Sequence, residues 1–135
     1  MIQASSLNLS VPANSAYPLN SVVIQKGCTA VAVGAGTIQL NSRGIYNVHC
    51  DGFATPAAAT LVSTQLAVNG ILRPDAISGF TGVSAAQGTF NFDALVQVSE
   101  NNTNCCCTAP TTLQFINGAT AVTDAHINVI VTKIC

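Results

Sequence analysis

Apolar and polar residues alternate along most of this 135-residue chain, with a period of two. That period is typical of a β-strand with one buried face, since successive side chains of a strand point to opposite faces. The clearest case is the segment TIQLNSRGIYNV at 37–48, where the alternation stops near Gly44 and then resumes. The segment predicts a strand, a tight turn and a second strand.

Other segments with the same alternation predict further short strands, and no segment shows a convincing helical period. These strands are expected at 7–11, 29–33, 61–68, 89–98, 112–116 and 126–134, with a short apolar strand at 22–24 and a return strand that begins at Ile71. About eight to ten short strands at this spacing indicate an all-β sandwich or barrel. The length suits a single domain that spans residues 1–135.

Glycine and asparagine mark the connections between these strands. Asn69-Gly70 predicts a two-residue hairpin turn, because both central residues of a type I′ turn need a positive φ. Asn117-Gly118 is a second hairpin signal, and a loop is expected at 55–59. A loop-rich connection is expected around three further glycines, Gly79, Gly82 and Gly88.

The charge content changes how the surface of this sandwich is interpreted. Only 7% of the residues are charged, the net charge is -1 and the mean hydropathy is +0.47. An average soluble domain has about 25% charged residues, which keep its surface solvated. We therefore expect much of the surface to be covered by copies of the chain or by a larger assembly. The alternative is a monomer with a neutral surface rich in Thr and Asn.

The charge pattern also excludes several classes of partner. The four cationic residues, Lys26, Arg43, Arg73 and Lys133, are scattered and form no phosphate-binding stripe, so nucleic acid is not expected. No apolar run approaches the roughly 18 to 20 residues that span a bilayer, so no membrane partner is expected. The first residues, MIQASS, lack the basic and apolar regions of a signal peptide, which predicts synthesis in the cytosol.

Six cysteines are present, and three of them, Cys105, Cys106 and Cys107, are consecutive. In extended backbone, three successive thiols point to alternating faces and do not converge on one metal ion, so no metal site is expected. The three residues form a candidate thiol cluster, or a source of disulfides after release into an oxidising space.

No residue pattern predicts catalysis. The two histidines, His49 and His126, stand apart in the sequence, and a Cys50–His126 dyad lacks a third group that would orient the base. No pair of carboxylates is spaced for acid–base chemistry, and no cofactor motif is present. We therefore predict that the protein is not an enzyme, that it binds no cofactor and that its histidines are structural.

The aromatic residues are assigned to packing. Phe90 and Phe92 share one face of a predicted strand, and the sequence contains no Trp, which exposed carbohydrate-binding platforms usually carry. The residues expected in the sandwich core or in a subunit interface are Tyr46, Phe90, Phe92 and Phe115.

Several segments, taken in order, resemble the jelly roll of the C1q and tumour-necrosis-factor superfamily. They are TIQLNSRGIYNVHCDGFA, STQLAVNGILRP, FNFDALVQVSENN and INVIVTKIC, which cover most of residues 37–135. The run CCC followed by PTTLQFIN is similar to small C1q-like proteins of bacteriophages and prophages of Firmicutes. The chain lacks two features of some family members, a collagen-like stalk and an acidic calcium-binding loop.

The resemblance implies an antiparallel jelly-roll β-sandwich that assembles as a homotrimer. It further implies a non-enzymatic structural protein on the virion, as a capsid decoration or head-fibre protein, made in the cytoplasm of a bacterial host. The expected partners are sister subunits and capsid or other virion proteins. The alternative is an adhesion module of a phage or bacterial surface that binds a receptor or host glycans through exposed loops.

Overall fold

The computed structural model describes residues 1–83, 86–98 and 111–135. Within these ranges the chain forms strands joined by turns and loops, and no helix that could cross a bilayer is present there. The strands are β1 (Ile2–Val11), β2 (Ser21–Gln25), β3 (Ala30–Val33), β4 (Thr37–Leu40), β5 (Gly44–Pro56), β6 (Leu61–Val68), β7 (Ile71–Thr81), β8 (Gly88–Val98), β9 (Thr111–Asn117) and β10 (Val122–Lys133).

The strands form two antiparallel sheets of five strands each. The first sheet has the order β2-β1-β10-β5-β8, and the second has the order β3-β4-β9-β6-β7. Most neighbours within a sheet are distant in sequence, as in the pairing of β1 with β10. The arrangement confirms the predicted all-β sandwich, and the number of strands in the described part agrees with the predicted eight to ten.

The hydrophobic core lies between the two sheets. Along β8 and β9 every second residue is buried, so each strand contributes one apolar face to the interior. The largest fully buried side chains are Tyr17, Tyr46 and Phe115. Burial of such rings and of branched aliphatic chains is the main force that holds the sheets together, at about 25 cal/mol for each Å² removed from water.

The turn predicted within 37–48 does not join two paired strands. β4 belongs to the second sheet, where it pairs with β3 and β9, whereas β5 belongs to the first sheet. The three residues between them carry the chain from one sheet to the other, and Gly44 has a φ of 142° that side chains rarely allow. Alternation alone identifies both strands, but it carries no information on which sheet each strand enters.

The second predicted hairpin, at Asn117-Gly118, is also wrong. β9 lies in the second sheet and β10 in the first, so the chain crosses between the sheets here. Asn117 is fully buried, and its Nδ2 donates hydrogen bonds to the carbonyl oxygens of Val11, Pro12 and Thr120. The residue therefore satisfies buried backbone acceptors and does not form a turn.

The hairpin at Asn69-Gly70 is confirmed. Both residues have positive φ values, 52° and 81°, and they join β6 to β7 within the second sheet. This matches the geometry that a type I′ turn requires.

Two other predicted connections are shorter than expected. β5 extends to Pro56, which pairs with Val122, so the loop begins later than residue 55. Gly79 lies inside β7 and Gly88 begins β8. A Cβ at Gly79 would lie 2.6 Å from the carbonyl oxygen of Val62, and one at Gly88 would overlap the ring of Phe80. These glycines are therefore explained by close packing within the sandwich.

Candidate functional site

The four aromatic residues assigned to core or interface lie in the interior of the sandwich. None of their side chains is more than 8% exposed, which leaves almost no ring surface for another copy of the chain. Phe92 stacks on Phe115 with ring centroids 6.2 Å apart, and Phe90 lies 5.8 Å from Tyr17. The Tyr46 hydroxyl donates to the carbonyl oxygen of Ser42 at 2.7 Å. These rings therefore hold the two sheets together.

The cysteines of the described residues differ sharply in environment. Cys28 and Cys135 are exposed, whereas Cys50 is fully buried in the core. Burial raises the pKa of the Cys50 thiol far above its ordinary value and keeps it protonated. The candidate thiol cluster Cys105, Cys106 and Cys107 lies outside the described residues.

The two members of the hypothetical Cys50–His126 dyad point to opposite faces of the first sheet. Cys50 faces the core, whereas His126 lies on the outer face and stacks on Phe53 with ring centroids 5.1 Å apart. Because His126 pairs with Phe53, three residues beyond Cys50 on β5, about 10 Å of strand also separates them. Within the described ranges, no group of three or more His, Cys, Asp or Glu side chains is placed to hold a metal ion.

The outer face of the first sheet carries a row of polar side chains that crosses four strands and is joined by three hydrogen bonds and one longer ion-pair contact. We call it the polar row; it consists of Gln3, Asn128, Asp51, His49 and Asp93, on β1, β10, β5 and β8. The Gln3 amide donates to Asn128 Oδ1 at 3.0 Å, and the Asn128 amide donates to Asp51 Oδ1 at 3.1 Å.

His49 occupies the acidic half of the polar row. Its Nδ1 lies 2.8 Å from Asp93 Oδ1, and its Nε2 lies 4.0 Å from Asp51 Oδ1. Because an ionised carboxylate only accepts hydrogen bonds, Nδ1 donates to Asp93. The imidazole is thereby held between two carboxylates, and its side chain is about one-third exposed.

Apolar side chains surround the polar row on the same face. Ile45, Phe53 and Ile130 project from the two central strands and are half-buried, and Leu95 on β8 is 57% exposed. On the edge strand β2, Ile24 pairs with Gln3 and adds a further exposed apolar side chain to this face. This face combines apolar contact surface with polar groups whose partners are already in place, the composition of a surface that another protein covers.

A second feature lies at the end of the first sheet where β5 begins and β8 and β10 end. It is an open pocket of about 430 Å³, which we call the corner pocket. Its lining comprises Arg43, Gly44, Ile45, Gln97, Val98, Lys133 and Cys135. Two of the four cations that are scattered in sequence thus meet at one site.

Neighbouring side chains hold Lys133 in position at the corner pocket. Lys133 Nζ donates to Ser42 Oγ at 3.3 Å, and the same hydroxyl lies 2.9 Å from the Tyr46 hydroxyl. A Cβ on Gly44 would overlap Lys133 Cε and the carbonyl oxygen of Cys135, so only glycine leaves room for this approach. Arg43 has a further contact of its own within the fold.

No protein-family model matches the sequence, and no curated protein matches it either. Solved structures nevertheless share its fold over nearly the whole chain. The globular domain of zebrafish complement 1qA aligns with a TM-score of 0.74 at 6% identity, over 99% of this chain and 96% of that one. The fold is therefore a C1q/TNF-like jelly roll.

Two further structures extend the comparison of this jelly roll. Eiger TNF from S. frugiperda aligns with a TM-score of 0.70 at 11% identity, over 99% of this chain and 92% of that one. Vertex protein P5 of the phage PRD1 aligns with a TM-score of 0.62 at 16% identity, over 99% and 97% of the two chains. At these identities the likeness concerns the jelly-roll fold alone.

Sequence reasoning missed the polar row and the corner pocket. Each polar residue of the row occupies an ordinary outward position in its own strand, so nothing in the local sequence distinguishes it. The neighbours on β1, β10, β5 and β8 are brought together only by the strand order of the jelly roll. Arg43 and Lys133 are likewise 90 positions apart and meet only in the folded chain.

Proposed function

We propose that this chain is a non-enzymatic structural protein that assembles as a homotrimer and decorates the surface of a bacteriophage virion. The observation that carries the proposal is the outer face of the first sheet, where apolar side chains surround the polar row. A trimer that buries this face removes apolar surface from water, and Asp51 and Asp93 on it each keep a hydrogen-bond partner within the chain.

The composition of the chain supports assembly through such a face. A chain with 7% charged residues has little surface charge to keep it dispersed as a monomer. A stable interface buries about 800 Å² on each partner, which is within reach of a five-stranded sheet face. The polar row suits burial because its amide and carboxylate groups already have partners within the chain.

The likeness to PRD1 vertex protein P5 supports a place on a phage particle, together with the resemblance of the CCC and PTTLQFIN segments to phage and prophage proteins. The non-enzymatic role is supported by the state of the Cys50 thiol, because it is buried, held protonated and out of reach of His126.

Two measurements test this proposal. Light scattering coupled to size exclusion should give a mass of about 41 kDa, three times the 13.8 kDa chain, at micromolar concentration. Particles induced from the strain that carries the gene should contain the chain, as detected by mass spectrometry after gradient purification. A monomeric mass would contradict the assembly, and purified particles without the chain would contradict the virion role.

The corner pocket favours a second candidate function, an adhesion module that binds a receptor or host glycans. The two candidates give different results in a paired experiment. Retention on purified particles without signal on a glycan array favours decoration, and a glycan signal without retention on particles favours adhesion.

A further inference from the structure

The sequence contains two Asn-Gly dipeptides, and the fold places them in opposite environments. Asn69-Gly70 forms the exposed turn between β6 and β7, whereas Asn117 is fully buried at the end of β9. Asparagine is a labile residue, and a following glycine has no side chain to keep its backbone nitrogen away from the side-chain amide. We propose that Asn69 is a modification site, at which the folded protein deamidates without an enzyme, and that the fold protects Asn117.

The modification exchanges the side-chain amide of Asn69 for a carboxyl group. Hydroxide removes the proton of the Gly70 N–H, and the nitrogen attacks Asn69 Cγ. The new N–Cγ bond closes a five-membered succinimide ring, and the Cγ–Nδ2 bond breaks to release ammonia. Water then opens the ring at either carbonyl group, which gives aspartate or isoaspartate. One water molecule is consumed and one ammonia is released, and no oxidant or reductant takes part.

The reacting groups of the Asn69-Gly70 turn are accessible. Both residues are exposed, and a Cβ added to Gly70 would meet no atom within 4 Å. In the described part of the chain, neither the Gly70 N–H nor Asn69 Nδ2 has a hydrogen-bond partner. The nucleophile and the leaving group are therefore both free to react.

One hydrogen bond restrains the Asn69 side chain. The backbone N–H of Thr112 on β9 donates to Asn69 Oδ1 at 2.9 Å, next to a bond from the Asn69 backbone N–H to the Thr112 carbonyl oxygen. The side chain must leave Thr112 before the Gly70 nitrogen can reach Cγ. Because an exposed turn opens at a far lower cost than the core, this restraint slows the reaction without preventing it.

The corresponding groups at Asn117-Gly118 are all engaged. The Gly118 N–H, which would be the nucleophile, donates to the carbonyl oxygen of Ser63 at 2.9 Å. Asn117 Nδ2, which would leave as ammonia, donates to three carbonyl oxygens in the buried crossover between the sheets. Reaction there requires the loss of these bonds and the entry of water into the core, so the same dipeptide is protected.

The modification site is separate from the surface proposed for assembly. β6 and β7 belong to the second sheet, whereas the polar row lies on the first sheet. Conversion adds one negative charge to a chain with a net charge of -1, and isoaspartate also lengthens the main chain at a turn that leads into the edge strand β7. The protein therefore gains surface charge as it ages, while its core stays intact.

Peptide mapping of the folded protein after incubation at pH 7 and pH 9 tests the proposal. Digestion with pepsin in acid stops the reaction, and mass spectrometry then measures the converted fraction at each Asn-Gly separately. Asn69 should convert at least about tenfold faster than Asn117, because several hydrogen bonds protect the buried site, and it should convert faster at pH 9 than at pH 7. In concentrated urea both sites should convert at similar rates.

Two outcomes would overturn the proposal. Equal rates at Asn69 and Asn117 in the folded protein would show that the fold does not distinguish them. No conversion of Asn69 in the folded protein, over a period in which both sites convert in urea, would show that Thr112 holds the turn closed.

Asn69→Asp is the matched variant. Aspartate also tolerates a positive φ and accepts a hydrogen bond from Thr112, so the variant should fold as the original protein does. On ion exchange, the incubated original protein should develop a more acidic form that elutes with Asn69→Asp, and the variant should develop no further acidic form at that rate. A further acidic form of Asn69→Asp at an undiminished rate would place the reaction at another amide and contradict the assignment.

Discussion

The two sheets of the sandwich bury similar faces against each other but present different faces outward. On the central strands of the first sheet, β10 and β5, the outward positions include the titratable residues His126, His49 and Asp51. On β4, β9 and β6 of the second sheet, the corresponding positions carry neutral side chains. Those positions include Thr37, Gln39, Thr112, Gln114, Ile116, Ser63, Gln65 and Ala67.

This difference shows that inward packing alone does not determine the outer surface. Both sheets satisfy the same period-two pattern, since every second residue must be apolar to fill the core. The outward residues are free of that requirement, and in the described part of the chain those of the first sheet form a polar row across four strands. We therefore assign the first sheet to assembly and the second sheet to the solvent side, and the following substitutions test that assignment.

The largest expected effect comes from placing a charge on each outer face. Ile130→Arg puts a guanidinium at the centre of the first sheet's outer face, and Ile116→Arg makes the same change on the second sheet. An unpaired charge buried in an interface costs about 3 kcal/mol or more, so Ile130→Arg should weaken the trimer at least about 100-fold. Ile116→Arg should leave it intact, as measured by sedimentation velocity over a concentration series.

Both isoleucines are half-buried in the single chain, so their substitution disturbs the fold to a similar extent. Dissociation by Ile116→Arg without an effect of Ile130→Arg would reverse the assignment of the two sheets. If neither variant dissociated, neither outer face would take part in assembly, and the proposed difference between the two sheets would be wrong.

The second effect concerns the inner faces of the two sheets, which are both buried from water. Burial raises the pKa values of Cys50 and Tyr17. The unfolded chain then loses these protons at lower pH than the folded chain does. The free energy of unfolding is therefore unaffected by these groups below the ordinary thiol pKa of about 8.5, and it declines above that pH. Each such group should lower the free energy of unfolding by about 1.4 kcal/mol per pH unit once its unfolded form has ionised.

Urea denaturation at pH 8, 9 and 10 measures this slope. Cys50→Ala should flatten it between pH 9 and 10, while Cys28→Ala, at an exposed position, is the control. An unchanged slope for Cys50→Ala would show that the interior is wetter at the first sheet than the structure indicates.

The third effect tests whether the polar row is a structural difference between the sheets. Asn128→Ala leaves Gln3 and Asp51 without their partner and should cost about 1 to 2 kcal/mol of unfolding free energy. Gln114→Ala is the matched change on the second sheet, where the amide makes only one long bond, 3.4 Å, to Thr37. Chemical denaturation at one protein concentration should show little loss for Gln114→Ala. Equal losses would mean that the hydrogen bonds of the polar row stabilise the fold no more than the single long bond of Gln114.

The sequence was sufficient to predict where the strands lie, because a strand needs one apolar face and the alternation records it residue by residue. It failed where the fold depends on partners distant in the chain. The connection at Gly44 and the one at Asn117-Gly118 both have the composition of turns, and in each case the strands on the two sides enter different sheets. Local chemistry allows a hairpin at these places, and only competition between distant strands decides against it.

The same reason explains why the functional surfaces could not be predicted. Asp51 and Asn128 are 77 positions apart and become neighbours because β5 pairs with β10. Tyr46 is an example of what the sequence can and cannot predict. Its place in the core or in an interface was predicted, but the hydrogen bond of its hydroxyl to Ser42 depends on the crossover between the sheets. Residue type predicts burial, whereas the strand order determines which residues meet.

The smallest expected effect is at the open edge, where the two sheets are joined by a charged side chain. Arg73 on β7 forms a two-point ion pair with Asp75, and its Nη2 also lies 3.3 Å from the carbonyl oxygen of Leu95 on β8. The ion pair of Arg73 and Asp75 contributes little to the free energy of unfolding, because it is exposed and solvent screens its charges. We expect Arg73→Gln to shift the urea midpoint only slightly at pH 7, with Lys26→Gln as the control for net charge.

The pH dependence of that small shift identifies its origin. Hydrogen bonding to Arg73 lowers the pKa of the Asp75 carboxyl below its ordinary value. Since the folded pKa is the lower one, the contribution is present above the ordinary carboxyl pKa of about 3.9 and is lost as the pH falls through the folded value. The midpoints of the original protein and Arg73→Gln should therefore converge in acid. A difference that persists in acid would assign the effect to the bond with Leu95, and the edge would then link the two sheets independently of charge.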